Sequence, residues 1–144
     1  MAPHLAMTSA SWSDMDAAPR FAAAALSLVL VPEEPGVYAW YRARERMYVG
    51  KADSLRDRVW GNHLGQGRGL TSSAFRRNVA EHLGFGSSAE IKSGAIELSD
   101  DQLADVRSWI MSSEVAWLTC VAKADAISLE TKLKDEFKPP LTKI

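Results

Sequence analysis

The segment GVYAWYRARERMYVGKA, residues 36–52, constrains this chain more than any other. Val37, Tyr38, Trp40 and Tyr41 come first, Tyr48 and Val49 follow, and only a short polar stretch separates the two groups. β-branched and aromatic residues suit a pleated surface, so 36–42 and 46–52 read as two strands of one antiparallel hairpin. Gly36 and Gly50 mark points where the backbone turns or another group comes close. Gly36-Val37-Tyr38 on the first strand is mirrored by Tyr48-Val49-Gly50 on the second, so both tyrosine hydroxyls are expected to emerge at one edge. The ordinary reading of two strand tyrosines is packing, and Trp40 and Tyr41 show that aromatics are plentiful here.

The remaining punctuation sets out one domain. Residues 1–18 are small, polar and aperiodic, and read as a flexible tail before a domain over 19–144. The Ala/Leu-rich run 20–30 reads as a helix that Pro32 and Pro35 end. Ser54, with Asp57 three residues on, caps a helix running to about Leu64. A glycine loop at 65–73 leads to a helix over 73–83, and Ser99 with Gln102 caps another. Residues 115–122 read as a buried strand and 125–138 as a last helix stopped by Pro139 and Pro140. The order implies an α+β domain, a small three-stranded sheet with helices around it and a helical insert at about 65–113.

Composition narrows the setting. Cys120 is the only cysteine, which leaves no disulfide framework or thiolate zinc cluster and fits a reducing cytoplasm. The longest apolar run, 21–31, is too short to span a bilayer, so no membrane role is expected. Asp14 and Asp16 precede that run and residues 1–19 hold no Lys or Arg, unlike a signal peptide. Net charge is −1, yet residues 42–77 hold nine basic and three acidic groups. A local basic block is the usual footprint for a phosphate backbone, and equally a solvated face; charge alone leaves both open.

Beside the tyrosines, three side chains could do chemistry. Glu130 lies between Ile127 and Leu133 on a stripe, with Leu129 and Phe137, expected to face the core. A carboxylate there needs a positive partner, either Lys134 one turn on or a divalent cation. Lys51 follows the second triplet, and Arg58 stands on the next helix with a planar fork suited to phosphate.

Taken together, GVY at 36–38, YVG at 48–50, Lys51, Arg58 ten residues past Tyr48, Glu130 and Pro139 resemble the GIY-YIG nuclease family, over roughly residues 32–144. The resemblance implies an antiparallel three-stranded sheet and a metal-dependent DNA endonuclease of the kind found in homing endonucleases, restriction enzymes and excision repair. It implies that Tyr38 helps activate the attacking water, that Tyr48 bonds the scissile phosphate or orients that water, and that Lys51 supports the water or the metal's hydration. Arg58 would stabilise the phosphate in the transition state, and Glu130 would hold Mg²⁺ or Mn²⁺. Free tyrosine titrates near pH 10, so a tyrosine base would need its pKa lowered by Lys51, Arg58 and the metal.

Two positions depart from the family pattern. Many members carry His or Tyr four residues after the arginine, where this chain has Asn62, with His63 beside it; His63 would serve if the helix were locally overwound. Excision-repair members place an asparagine twelve residues after the glutamate, where this chain has Thr142. These three are supporting positions. Arg56, Arg68, Arg76 and Arg77 are expected to contact the nucleic-acid backbone. DNA rather than RNA comes from the resemblance alone, and a targeting protein partner would make up for the lack of a base-reading element. The competing reading is a nuclease-like module that binds nucleic acid or protein without turnover, favoured by Asn62 and Thr142.

Overall fold

A computed structural model describes residues 10–63 and 73–143, with the backbone alone for Asn62 and His63. The hairpin forms where the sequence places it, as β2, Gly36–Arg42, and β3, Glu45–Ala52. Ala43 and Arg44 make its turn, with φ of 52° and 69°, a left-handed pair that glycine or asparagine would adopt at lower cost. One irregularity, between Trp40 and Tyr41, takes Met47 out of register. β4, Glu114–Thr119, lies on the other side of β2. β2 is therefore central and covered on both faces: Val37, Ala39 and Tyr41 point to one core, Tyr38 and Trp40 to the other.

The sheet has four strands rather than three, all antiparallel, in the order β1-β4-β2-β3. The additional strand, β1, Phe21–Ala22, falls inside the run expected to be helical. Phe21 pairs with Val115 and its ring stacks 5.0 Å from Trp117. Two 3₁₀ turns, Ala23–Ala25 and Leu28–Leu30, then carry the chain to β2. Alanine favours a helix by only a fraction of a kcal/mol per residue, roughly, so the free edge of β4 and the burial of Ala23, Leu26 and Val31 outweigh it.

A second correction concerns the tail. Residues 1–9 lie outside the described residues, but Trp12–Ala17 is a helix, α1, with Trp12 and Met15 buried one turn apart. The Asp14 carboxylate caps it by accepting from the Ser11 backbone N–H at 2.7 Å. Trp12 Nε1 donates to Leu133 O and Phe137 O at 2.8 and 3.0 Å, at the C-terminal end of α5, Lys123–Glu136. Asp16 accepts from the Tyr41 hydroxyl at 2.8 Å and pairs with Arg46, whose guanidinium lies over the Trp12 ring. One tryptophan in a polar stretch is too little pattern for periodicity to register, yet it is enough to dock the segment.

The other helices complete two layers. α2, Ala74–His82, α3, Ser88–Ser93, and α4, Asp100–Met111, form the described part of the expected insert. α2 and α4 bring Phe75, Val79, Val106 and Ile110 against Tyr38 and Trp40. The cap of α4 is the one expected: Ser99 N donates to Gln102 Oε1 at 2.9 Å and Gln102 N to Ser99 Oγ at 3.2 Å. α1 and α5 cover the opposite face, where Leu129 and Leu133 are buried. Ile127 and Phe137 do not join them; both are exposed, because α5 leans on the sheet by its Ala126, Leu129 and Leu133 side. Among the described residues no helix is long and apolar enough to cross a membrane.

If α1 is part of the fold, Trp12→Ala costs about 3–5 kcal/mol of unfolding free energy, the range for truncating a buried aromatic. Val29→Ala, at a position 80% exposed, costs close to nothing. Urea titrations of the two variants check this; equal stabilities would return residues 10–17 to the status of a tail.

Candidate active site

The hairpin register sets the site. Tyr38 stands opposite Gly50, and its ring lies across that glycine. A Cβ built on Gly50 would fall 2.6 Å from Tyr38 Cζ and closer still to the hydroxyl, so only glycine fits. At Gly36 a Cβ would come within 2.7 Å of Leu55 Cδ1 and closer to Leu118 O. Tyr48, on the same face as Tyr38, has its ring centroid 6.3 Å from that of Tyr38 and 4.9 Å from Phe75.

The two hydroxyls are hydrogen-bonded to each other. Tyr38 is 2% exposed. Burial holds its pKa well above the ordinary value; the Tyr48 and Glu130 charges and the hydrogen bond to Tyr48 add to this, and Arg58 opposes it. Tyr48 is 9% exposed. Burial and then Glu130 push it up to about 12, against the lowering pull of Arg58, the bond with Tyr38, and Arg77. The expectation of a lowered tyrosine pKa is thus reversed for the chain's own groups: desolvation exceeds what the arginines contribute.

The structure brings Tyr38, Tyr48, Arg58 and Glu130 into one electrostatic neighbourhood. Arg58 comes from the segment Arg56–His63, which begins at the expected Ser54 cap but winds as a π-helix. Its i→i+5 bonding makes each turn longer than four residues and shorter than five, so the backbone positions of Asn62 and His63 fall on either side of the point one turn beyond Arg58. The helix is underwound, not overwound as the substitution by His63 required. Glu130 Oε1 is 3.4 Å from Lys134 Nζ, the ordinary i,i+4 partner, while its charge also reaches both tyrosines. Lys51 is exposed near the end of β3, and no described contact joins it to the tyrosines. Thr142 is buried, and its Oγ1 accepts from Val49 N at 2.9 Å.

The expected backbone-binding arginines fare differently. Arg56 Nε donates to Val31 O at 2.8 Å and Nη1 lies 3.5 Å from Glu33, so its fork anchors the loop before β2. Arg76 and Arg77 are 4% and 7% exposed, not surface cations. α2 buries its sides against both α3 and α4, and the aliphatic stems go with it. Arg77 Nε donates to Ser88 Oγ at 3.2 Å rather than pairing with Glu81, which takes Lys143 at 2.6 Å. Arg68 lies outside the described residues. Asn78, which no sequence signal separates from the apolar residues around it, is buried beside the segment that carries Thr142.

Among the described residues no group of three or more His, Cys, Asp or Glu converges on a metal position. A lone, largely buried carboxylate still fits Mg²⁺, which keeps several waters and takes one or two carboxylates plus substrate phosphate.

The family model described as GIY-YIG catalytic domain matches residues 36–143. UvrABC system protein C of Thermus thermophilus is 66% identical over 29 residues, 20% of this chain and 5% of that protein. The matched stretch is therefore about a twentieth of that relative's length.

Both tyrosines carry raised pKa values in the folded state, so folding favours their protonated form. Their contribution is complete below the unfolded value near pH 10 and is lost as pH rises toward and through about 12. Urea unfolding between pH 9 and 11.5 should show stability falling with pH, with a shallower slope in Tyr48→Phe. Identical slopes would contradict the buried placement of Tyr48.

Proposed function

The chain belongs to the GIY-YIG catalytic-domain family, and from that footing we propose that it is a metal-assisted endonuclease hydrolysing phosphodiester bonds in DNA. The observation that carries this reading is the hydrogen-bonded tyrosine pair set between the opposed charges of Arg58 and Glu130.

Exposure divides the work within that pair. Tyr48 is 9% exposed and Tyr38 2%, so of the two Tyr48 is the one a phosphate oxygen or the attacking water would meet. Tyr48 is the hydroxyl that touches the reacting atoms, and Tyr38 orients it. This exchanges part of the roles that the family resemblance implies. Arg58 faces the phosphate and stabilises the negative charge that accumulates during in-line attack. Glu130 would hold Mg²⁺ or Mn²⁺, which supplies charge neutralisation and Lewis acidity when bound. Lys51, exposed one strand position past Gly50, would meet a neighbouring phosphate or site water. Of Asn62 and His63, which flank the point one turn beyond Arg58, only His63 carries a protonatable group. Arg56, Arg76 and Arg77 act through the fold, and any phosphate grip by Arg68 is additional. Targeting of the cut falls to a partner protein or to substrate shape, because none of the described elements presents a helix for base readout.

Nicking of labelled duplex, branched and single-stranded DNA, with RNA beside them, tests the reading. Cleavage should need Mg²⁺ or Mn²⁺ and stop with EDTA. Glu130→Ala and Arg58→Ala should each lower kcat about a hundredfold or more, Tyr48→Phe should cost more than Tyr38→Phe, and His63→Ala more than Asn62→Ala. A folded wild type that binds DNA and cuts no substrate would replace the enzyme with a binding module.

A further inference from the structure

β3 is an edge strand, yet its outer groups beside Tyr48 are not open. Leu141 N donates to Met47 O at 2.9 Å, and Val49 N donates to Thr142 Oγ1 at 2.9 Å. The strap over residues 139–143 thus holds the backbone on both sides of Tyr48. Thr142 N donates back to Pro139 O at 3.0 Å, closing the strap into a turn.

From the other side the strap is tied to α2. Asn78 Nδ2 donates to Leu141 O at 2.8 Å. Asn78 lies one helical turn after Phe75, whose ring packs on Tyr48, so the two share a face. The bond to a carbonyl fixes which way the amide points. Its Oδ1 is buried, and no donor among the described residues reaches it; the residue is 3% exposed. A leucine would fill the same volume without an orphaned acceptor, so packing does not account for an amide here. The tie to the strap does.

We propose that Asn78 is a positioning residue of the active site: by holding the strap against β3 it fixes the backbone on either side of Tyr48 and so aims the Tyr48 hydroxyl. The effect on turnover rests on the nuclease reading above; the effect on the strap does not. A hydroxyl displaced by a fraction of an ångström still lets substrate bind but slows the chemical step. Loss of Asn78 therefore acts on kcat rather than KM. The second tie between strap and α2, Lys143 Nζ to Glu81 Oε2, is exposed and contributes little.

Amide hydrogen exchange and nicking kinetics of Asn78→Leu and Asn78→Ala test this, with Lys143→Ala as the comparison. In both Asn78 variants the Val49 amide should exchange about tenfold faster or more while that of Ala39 in β2 keeps its protection. Their kcat should fall about tenfold to a hundredfold with KM unchanged, and Lys143→Ala should match the wild type in both readouts. Val49 exchange at the wild-type rate would overturn the proposal, as would faster exchange with kcat intact. A wild type that cuts no DNA overturns the nuclease reading; Val49 exchange then decides the strap, faster exchange upholding it and unchanged exchange overturning it.

Discussion

The site depends on one close approach, the ring of Tyr38 lying across the bare backbone of Gly50. Antiparallel register puts the two residues opposite each other, and the missing Cβ lets the ring cross β3 to meet Tyr48. Gly36 does the same for the other side of β2, where Leu118 O and Leu55 close in. The mirrored triplets are therefore a packing device before they are chemistry. A side chain at either glycine would separate strands whose spacing every other contact assumes. Burial on both faces then leaves β2 no freedom to slip by one residue, because a slip would exchange Tyr38 and Trp40 with Val37 and Ala39.

The same burial shapes the electrostatics. Two phenols removed from water resist ionising, and the negative Glu130 nearby raises both further. Arg58 pulls the other way without prevailing. The chain by itself thus favours two neutral phenols over a tyrosinate. Lys134, 3.4 Å from Glu130, occupies the charge that a divalent cation would take, so cation binding must displace or share that ammonium. The pair is mostly shielded from water, so that exchange carries a cost.

What could be read from the residues followed the strength of local pattern. The hairpin was legible because alternation, aromatics and mirrored glycines all agreed. The Ser99–Gln102 cap of α4 was legible because it is made within four residues. β1 was not, since Phe21 and Ala22 become a strand only because β4 offers an unpaired edge far along the chain. Docking of Trp12 depends on carbonyls 121 and 125 residues away. The π-helical winding after Ser54 leaves no mark in composition, yet it sets where Asn62 and His63 fall relative to Arg58. The arginines at 76 and 77 read as a basic patch because charge is visible in sequence and burial of an aliphatic stem is not. Arg58 and Glu130 could be named from the family resemblance, but their joint action on both tyrosines needed the fold.

The central claim is that Glu130, the two tyrosines and Arg58 form one cation-bearing centre. Paramagnetic broadening by Mn²⁺ in the NMR spectrum of the folded chain tests it without any substrate. On this account the ring resonances of Tyr48 and Tyr38 and the amide of Gly50 broaden first, at substoichiometric Mn²⁺, and Glu130→Gln abolishes the effect. Broadening that begins instead at the acidic start of α4, around Asp100, Asp101 and Asp105, or that survives Glu130→Gln, would contradict it.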